Sequence, residues 1–408
     1  MGVTPRAFGR SPARRHPRLA AAVTMVCAVA VVGTAHHGTA PVGATAASRH
    51  NRPALPWVSR AHRPAGAPRA ARAVARTHTT ALTGATAASS WHRSGLPWAS
   101  GAYLPADTPA AAAAFGAWRQ RPLDIAEVWL NRSTWASITD PAWLYPRWRR
   151  SPYTLVVTVP MLPTNVPRVS IQACAVGAYN AHWRQFGRVI RSYGLGTSII
   201  RLGWEFNGKW YPWAATDPTA WAECWRQAVT SARSTAPQLR WDWNVNRGVS
   251  SALANPIRAY PGNDYVSMIG IDSYDQWPSV ASAGGWQRQV NGKQGLNYWL
   301  AFAKTHGKKL SVPEWGSLRY GRSAGRDDPQ YIRDMRAFFA ANARYIAFEA
   351  IFQGSIGNYD AGHTMPKAAQ AYQAGFLSAR HQPGARPPLK PRADRKAQRK
   401  LTGKHSPS

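Results

Sequence analysis

From residue 96 onward the chain alternates between short apolar runs and longer stretches with helical periodicity. The apolar runs are rich in β-branched and aromatic residues and predict strands at 101–104, 124–130, 154–162, 198–204, 239–245, 265–273, 309–315 and 345–352. The amphipathic stretches between them predict helices at 108–118, 177–193, 217–235, 295–306 and 328–342. Asp217 followed by Pro218 is typical of a helix start, with an N-cap and then proline in the first turn.

Eight strands alternating with helices over about 280 residues predict an α/β protein with a (β/α)8 TIM barrel. We assign this single catalytic domain to residues 91–379. An open, doubly wound parallel sheet is the alternative architecture. A glycine-rich phosphate loop does not follow the first predicted strand, which argues against a nucleotide-binding sheet.

Charge separates the predicted barrel from its flanks. The chain has a formal net charge of +33; residues 1–95 contain 13 arginines and no acidic residue, and residues 380–408 contain nine basic residues and one aspartate. Residues 47–90 and 380–408 lack an apolar period, which predicts a disordered basic linker and a disordered basic tail. These flanks could adhere to an anionic cell-wall polymer or a membrane surface, or serve only as spacers. Nucleic acid is not an expected partner, because no base-reading module is visible.

The N-terminus predicts export. Five arginines precede an apolar run at residues 19–35, so residues 1–46 are interpreted as a signal peptide or, alternatively, a membrane-anchor region. A secreted, monomeric protein is therefore expected, with association at the cell surface as the alternative to free release. Cys174 and Cys224 remain after signal removal, and in an oxidising compartment they could form a disulfide or stay as two buried thiols.

The candidate chemistry lies where strands end, because TIM-barrel active sites occupy the C-terminal ends of the strands. Glu205 follows the fourth predicted strand and Glu314 ends the seventh. One carboxylate at a strand end more often pairs with arginine, but two that flank a ring of aromatic residues suit glycosidic bond hydrolysis. Tryptophan and tyrosine faces also bind the apolar faces of sugars. No motif has metal-ligand spacing, and no cofactor is expected.

Three segments in order carry a family resemblance. They are RLGWEFNGKWYPW (201–213), YPGNDYVSMIGIDSYD (260–275) and KKLSVPEWGS (308–317). Each resembles a segment of glycoside hydrolase family 26, whose β-mannanases are retaining (β/α)8 hydrolases. The resemblance implies that Glu205 is the general acid/base and Glu314 the nucleophile. The residues expected at the substrate, from the resemblance and the aromatic ring, are Arg201, Trp204, Asn207, Trp210, Tyr274, Trp315 and Trp129.

These roles set physical expectations. Glu205 has to begin protonated, with its pKa raised by apolar neighbours such as Trp204, and Glu314 has to begin ionised. A retaining mechanism places the two carboxyl groups about 5–5.5 Å apart. The resemblance departs at Trp204, where the family has histidine; tryptophan accepts no hydrogen bond and carries no charge.

The expected function is a secreted, retaining β-glycan hydrolase that acts on a polysaccharide, most similar to an endo-β-1,4-mannanase. Because Trp204 replaces the family histidine, two alternatives stay open. One is hydrolysis of another β-glycan, such as a β-1,3/1,4-glucan, a xylan or the cell's own exopolysaccharide. The other is a catalytically inactive barrel that binds sugar.

Overall fold

The computed structural model describes residues 92–353 and 365–377. The predicted export segment, the basic linker and the basic tail lie outside the described residues. Eight strands are present, and each overlaps one of the predicted runs: β1 Ala99–Tyr103, β2 Ile125–Trp129, β3 Thr154–Val159, β4 Ile199–Leu202, β5 Arg240–Asn246, β6 Met268–Tyr274, β7 Lys309–Gly316 and β8 Ile346–Phe352.

Helices separate the strands. They are α1 Pro109–Trp118, α2 Trp135–Thr139, α3 Tyr145–Trp148, α4 Ile171–Ala175, α5 Asn180–Ser192, α6 Pro218–Arg233, α7 Gly285–Asn291, α8 Leu296–Thr305, α9 Pro329–Ala341 and α10 Pro366–Phe376, with 3-10 turns at Pro256–Ala259 and Ala343–Tyr345. Within the described ranges, no helix has the length and apolarity that a membrane crossing needs.

The strands form a closed barrel in sequence order. Every neighbouring pair is parallel, and β1 pairs with both β2 and β8, which closes the ring. The predicted (β/α)8 barrel is therefore confirmed, and the open-sheet alternative is excluded. The C-terminal ends of all eight strands consequently open onto one face, where the candidate residues were expected.

Local signals explain where the principal helices begin. Asp217 accepts hydrogen bonds from the backbone N–H groups of Thr219 and Ala220 and caps α6. Asp328 caps α9 in the same way, and both helices have proline in the first turn. These caps satisfy N–H groups that have no partner inside the helix, so the aspartates at 217 and 328 have structural roles.

The barrel interior changes from apolar to polar along its axis. Its lower layer consists of Ala99, Ile125, Val156, Ile199, Met268, Phe348 and Ala350. Two residues further along β2, β3 and β4 lie the buried side chains of Glu127, Thr158 and Arg201. Because side chains of a strand alternate between its faces, these three point into the barrel above the apolar layer.

Tryptophans fill the space between sheet and helices. Trp221 and Trp225 of α6 and Trp299 of α8 are fully buried, which confirms their interpretation as core residues. A disulfide joins Cys174 of α4 to Cys224 of α6, across 50 residues of sequence. It ties together two helices that pack on the outside of the barrel.

A β-bulge in β7 determines which of its residues face the barrel interior. Ser311 pairs with Gly270 and Trp315 with Ser273, so β7 has one residue more than β6 over this stretch. The pairing with β8 shifts in the same place, between Val312 and Trp315. Regular alternation from Ser311 would turn residues 313 and 315 inward; the extra residue turns Glu314 inward instead.

Candidate active site

Arg201 of β4 lies at the centre of the polar interior and is fully buried. Its Nη1 lies 3.1 Å from Glu127 Oε1, and its Nη2 contacts both Asp272 and, at 2.5 Å, Glu314 Oε1. Nη2 also donates to Asn244 Oδ1 at 3.1 Å. One guanidinium therefore holds carboxylates from three strands, and it orients them through a planar fork of donors.

Carboxyl groups outnumber the positive charge in this interior. Burial and the nearby Glu314 carboxylate raise the pKa of Glu127 to about 8, although Arg201 opposes the shift. Burial also raises the pKa of Asp272, and that of Asp242 to about 7. The cluster therefore holds protons near neutral pH, because a single arginine cannot neutralise so many buried carboxylates.

Glu314 is held by two donors. The β7 bulge turns it into the barrel mouth, where it is only 5% exposed. Arg201 contacts Oε1, and the hydroxyl of Tyr274, at the end of β6, donates to Oε2 at 2.6 Å. Both carboxylate oxygens are therefore fixed, which orients the group for attack on one point in space.

Glu205 lies in the loop after β4 and has an uncommon backbone conformation, with φ of 51°. Its N–H lies 3.2 Å from Asn244 Oδ1, and Trp210 Nε1 donates to its Oε2 at 2.9 Å. Burial and the Glu314 carboxylate raise the pKa of Glu205 to about 8, against opposing contributions from Arg201 and Trp210. At neutral pH Glu205 is therefore mainly protonated, as a proton donor has to be.

Trp204 packs beneath the site and contacts the residues that line it. It is 2% exposed, its Nε1 donates to Tyr211 Oη at 2.9 Å, and its ring meets Trp129 edge to face at 4.9 Å. The Arg201 guanidinium lies 5.7 Å from the Trp129 ring centre and 5.8 Å from that of Trp204. Both indoles thus line the cavity side of the arginine, and only Trp129 keeps appreciable exposure.

Two of the expected substrate contacts take other positions. Trp315 is fully buried behind the sheet, where Nε1 donates to Glu349 Oε2 at 2.7 Å and its ring packs on Phe376. The bulge that turns Glu314 inward turns Trp315 away from the cleft. Asn207 is also fully buried, and its amide pairs with the backbone N–H and carbonyl of Asn246 at 2.9 Å. Asn207 therefore fastens the β4 loop to the end of β5 and does not line the cleft.

Two interior acids were not predicted from the sequence. Glu127 is buried and accepts a hydrogen bond from Thr158 Oγ1 at 2.7 Å, and buried Asp242 accepts one from Ser311 Oγ at 2.9 Å. A signal for both was present, because each is a charged residue flanked by apolar residues inside a predicted strand. Among the described residues, no group of three or more His, Cys, Asp or Glu side chains is arranged to hold a metal ion.

Comparison with known proteins relates this geometry to a family. Residues 197–310 match the model of glycosyl hydrolase family 26. Over this segment the chain is similar to family 26. It runs from the start of β4 to the start of β7, so the family 26 match includes Glu205 and Arg201 and ends four residues before Glu314.

A curated protein similar to this chain is Endoglucanase H from Acetivibrio thermocellus. It is 28% identical over 219 residues, which cover 50% of this chain and 22% of that protein. The chain therefore spans about a fifth of the length of this relative.

Solved structures also resemble this barrel in fold. An engineered protein superimposes with a TM-score of 0.51 at 14% identity, covering 69% of this chain and 70% of the other. An endo-β-1,4-mannanase double mutant from Cellulomonas fimi aligns with a TM-score of 0.44 at 17% identity, over 59% of this chain and 58% of its own.

Proposed function

We propose that this protein is a retaining β-glycan hydrolase with endo-β-1,4-mannanase-like activity. The observation that carries the proposal is the contrast between two neighbouring glutamates. Glu205 has a pKa of about 8, whereas Glu314 is held by the Arg201 guanidinium and the Tyr274 hydroxyl. Pairs of carboxyl groups whose environments differ in this way divide into an acid and a nucleophile.

In the first step a Glu314 oxygen attacks the anomeric carbon and the bond from that carbon to the glycosidic oxygen breaks. Glu205 transfers its proton to the departing oxygen, which leaves as a hydroxyl group of the released chain. The sugar is then bonded to Glu314, and Glu205 is ionised. In the second step Glu205 takes a proton from water as the water oxygen attacks the same carbon. The bond from that carbon to the Glu314 oxygen breaks, Glu314 leaves as a carboxylate, and both glutamates return to their starting states.

The partners of each glutamate fit these steps. Trp210 donates to Glu205 Oε2, so it holds the carboxyl group in place through both the protonated and the ionised stage. Tyr274 and Arg201 direct the Glu314 oxygens. As negative charge leaves Glu314 in the first step, the repulsion that raised the pKa of Glu205 falls, which suits its change from acid to base.

The preference for mannan rests on the family 26 match and on the resemblance of the segments around Glu205, Tyr274 and Glu314. Trp204 favours a second candidate, hydrolysis of a different β-glycan. A buried indole that donates to Tyr211 presents no acceptor to substrate, so the site lacks the imidazole that the family has at this position. We also propose that the protein is exported, and that its basic flanks retain it near an anionic surface.

The test is reducing-sugar release by the full chain from galactomannan, glucomannan, mixed-linkage glucan and xylan. Glu314→Gln serves as the inactive variant. Glu223→Gln, which alters a half-exposed glutamate paired with Arg226 on α6, is the matched control. Release that is lost only in Glu314→Gln supports the hydrolase and identifies the polysaccharide. Binding without release by the unaltered protein would instead indicate an inactive sugar-binding barrel.

A further inference from the structure

An exposed aromatic residue lies beside the candidate site on a loop that is firmly held. Trp277 is 62% exposed and follows Tyr274 by three residues, in the loop after β6. Its φ is 49°, a conformation that bulky residues rarely adopt. Single exposed apolar residues are common on protein surfaces, so exposure alone indicates little. The strained backbone and the proximity to Tyr274 distinguish Trp277.

Buried polar groups hold the backbone on both sides of Trp277. The Arg247 guanidinium donates to the carbonyls of Tyr274 and Gln276 at 2.9 and 2.6 Å. Gln289, fully buried, donates to the Pro278 carbonyl at 2.7 Å. The indole is therefore presented to solvent from a fixed support, and it loses little conformational freedom when a ligand stacks on it.

The loop after β7 adjoins this support. The Gly325 N–H donates to the carbonyl of Asp275 at 2.9 Å, two residues before Trp277. The Arg326 N–H donates to the Leu318 carbonyl at 2.8 Å, which closes the loop on itself. Both loops leave strands that carry Tyr274 and Glu314, so together they form one side of the barrel mouth. We call residues 275–284 and 317–328 the β6–β7 rim.

The β6–β7 rim is positively charged at its surface. Arg319, Arg322 and Arg326 are all exposed, and none forms an ion pair with any residue in the described ranges. The two aspartates that follow them are occupied as structural caps: Asp327 accepts from backbone N–H groups at the start of α10, and Asp328 caps α9. The rim thus offers exposed guanidinium groups that have no ion-pair partner within the described ranges, although that of Arg319 also lies 5.1 Å from the Tyr320 ring centre.

We propose that the β6–β7 rim is a sugar-binding subsite for an acidic glycan, in which Trp277 stacks on a pyranose ring and the arginines bind carboxylate groups of the same chain. The inference rests on the proposed function and specifies its substrate class. An indole face suits the apolar face of a sugar ring. Guanidinium groups suit carboxylates in their fork geometry.

Binding is measured by calorimetry with the full chain carrying Glu314→Gln, so that the ligand is not consumed. The two probes are β-1,4-linked mannohexaose and the β-1,4-linked hexamer of mannuronate, which has a carboxylate where mannose has a hydroxymethyl group. Trp277→Ala tests the stacking surface, and the triple change of Arg319, Arg322 and Arg326 to Gln tests the charge. Matched controls are Trp143→Ala and the triple change of the exposed Arg147, Arg149 and Arg150 to Gln, all of which lie in the connection between β2 and β3, outside the β6–β7 rim.

At low salt we expect the mannuronate hexamer to bind about tenfold more tightly than mannohexaose, because three exposed charge pairs each contribute about 0.2–1 kcal/mol. The rim triple variant removes most of this difference and its salt dependence. Trp277→Ala weakens binding of the mannuronate hexamer by about fivefold to tenfold, as expected for loss of a central aromatic contact. The control variants change affinity by less than about twofold.

Equal or tighter binding of mannohexaose would overturn the acidic class, and wild-type affinity in Trp277→Ala would overturn the subsite. Failure to bind either hexamer also counts against the inference. The proposed hydrolase activity is judged separately, by sugar release from the unaltered protein. If sugar is released but Trp277→Ala binds like the protein with the unaltered side chain, the hydrolase proposal stands and the subsite is refuted. If binding of the mannuronate hexamer depends on Trp277 but no sugar is released, the subsite stands and the hydrolase proposal is refuted.

Discussion

The hydrogen bond from Trp210 to Glu205 predicts a measurable shift in pH dependence. Trp210→Phe keeps an aromatic ring and removes the Nε1 donor that lies 2.9 Å from Glu205 Oε2. This donor favours the ionised carboxylate and lowers the pKa of Glu205, which burial and Glu314 have raised to about 8. Without it, Glu205 stays protonated to higher pH.

The size of the shift follows from the strength of the bond. Hydrogen bonds to charged groups contribute about 1.5–3 kcal/mol, and one pKa unit corresponds to about 1.4 kcal/mol. Because Trp210 is partly exposed and water can replace its indole N–H, we expect the lower end, an increase of about one unit. The alkaline limb of kcat/KM should therefore move from about pH 8 to about pH 9.

The assay is the pH profile of kcat/KM on the polysaccharide that the unaltered protein cleaves, measured between pH 5 and 10. Loss of an aromatic sugar contact raises KM at every pH, whereas loss of the hydrogen bond moves the limb itself. Trp143→Phe, at an exposed tryptophan remote from the site, is the control. An alkaline limb that stays in place or moves to lower pH would refute the assignment of Glu205 as the acid and of Trp210 as its regulator.

Three further predictions concern the same barrel. Glu205→Ala should lower kcat/KM on polysaccharide by about 100- to 10,000-fold. The variant should keep its kcat/KM on aryl glycosides whose leaving group needs no proton, and azide should restore their turnover. Equal loss of kcat/KM on both substrates would contradict the acid role. Arg201→Met should cost about 3–5 kcal/mol in urea unfolding. This cost in unfolding free energy should be smaller at pH 5 than at pH 8. The raised pKa of Glu127 means that the folded state binds a proton at low pH, and the stability that comes from this proton is lost as pH rises through about 8. A cost that does not depend on pH would count against the proton-rich cluster. Replacing Cys174 and Cys224 by serine should lower stability by about 4 kcal/mol, as the closed loop of 50 residues implies, and reductant should reproduce the loss in the unaltered protein.

The barrel was predictable because each of its strands is a self-contained apolar run. The strand of residues 199–202, for example, is marked by IIRL and closed by Gly203, and the strand of residues 154–159 by TLVVTV. Eight such runs separated by helices leave few arrangements in which every strand is covered on both faces. Strand ends then gave the approximate location of Glu205 and Glu314 without any knowledge of side-chain direction.

The direction of individual side chains could not be predicted from local sequence. Trp315 was expected at the substrate because it adjoins Glu314. The bulge changes which residues of β7 face the barrel interior, so that Glu314 faces inward and Trp315 faces the helices. Pro313 in KLSVPEW is a signal of an irregular strand, because proline donates no hydrogen bond to a neighbouring strand and is found at edges and bulges. It does not indicate which of its neighbours face the barrel interior. Asn207 lies in the loop where it was expected, but its side-chain amide is hydrogen-bonded to the backbone of Asn246 and does not reach the substrate cleft. Long-range pairing of this kind depends on the folded register of β5 and is absent from local sequence.

The interior acids show a third kind of difficulty. Glu127 and Asp242 are charged residues within apolar strands, a pattern that usually lowers confidence in a strand. Here the pattern is explained by Arg201, which lies on a third strand and has no sequence relation to either. A buried cation on one strand and buried acids on others can be matched only after the barrel closes.

The bulge in β7 also has a consequence for how this barrel can change over evolutionary time. The surplus residue of the bulge lies between Val312 and Trp315. If a related chain lacked Pro313, the strand would alternate regularly, and its glutamate would still face the barrel interior while its tryptophan still faced the helices. The strand on either side, and the packing it supports, could persist unchanged. A chain with this fold can therefore lose or gain the bulge without losing the orientation of its glutamate, provided that one residue is lost or gained with it. A one-residue gap at this point in an alignment is consequently compatible with a carboxylate at the barrel mouth.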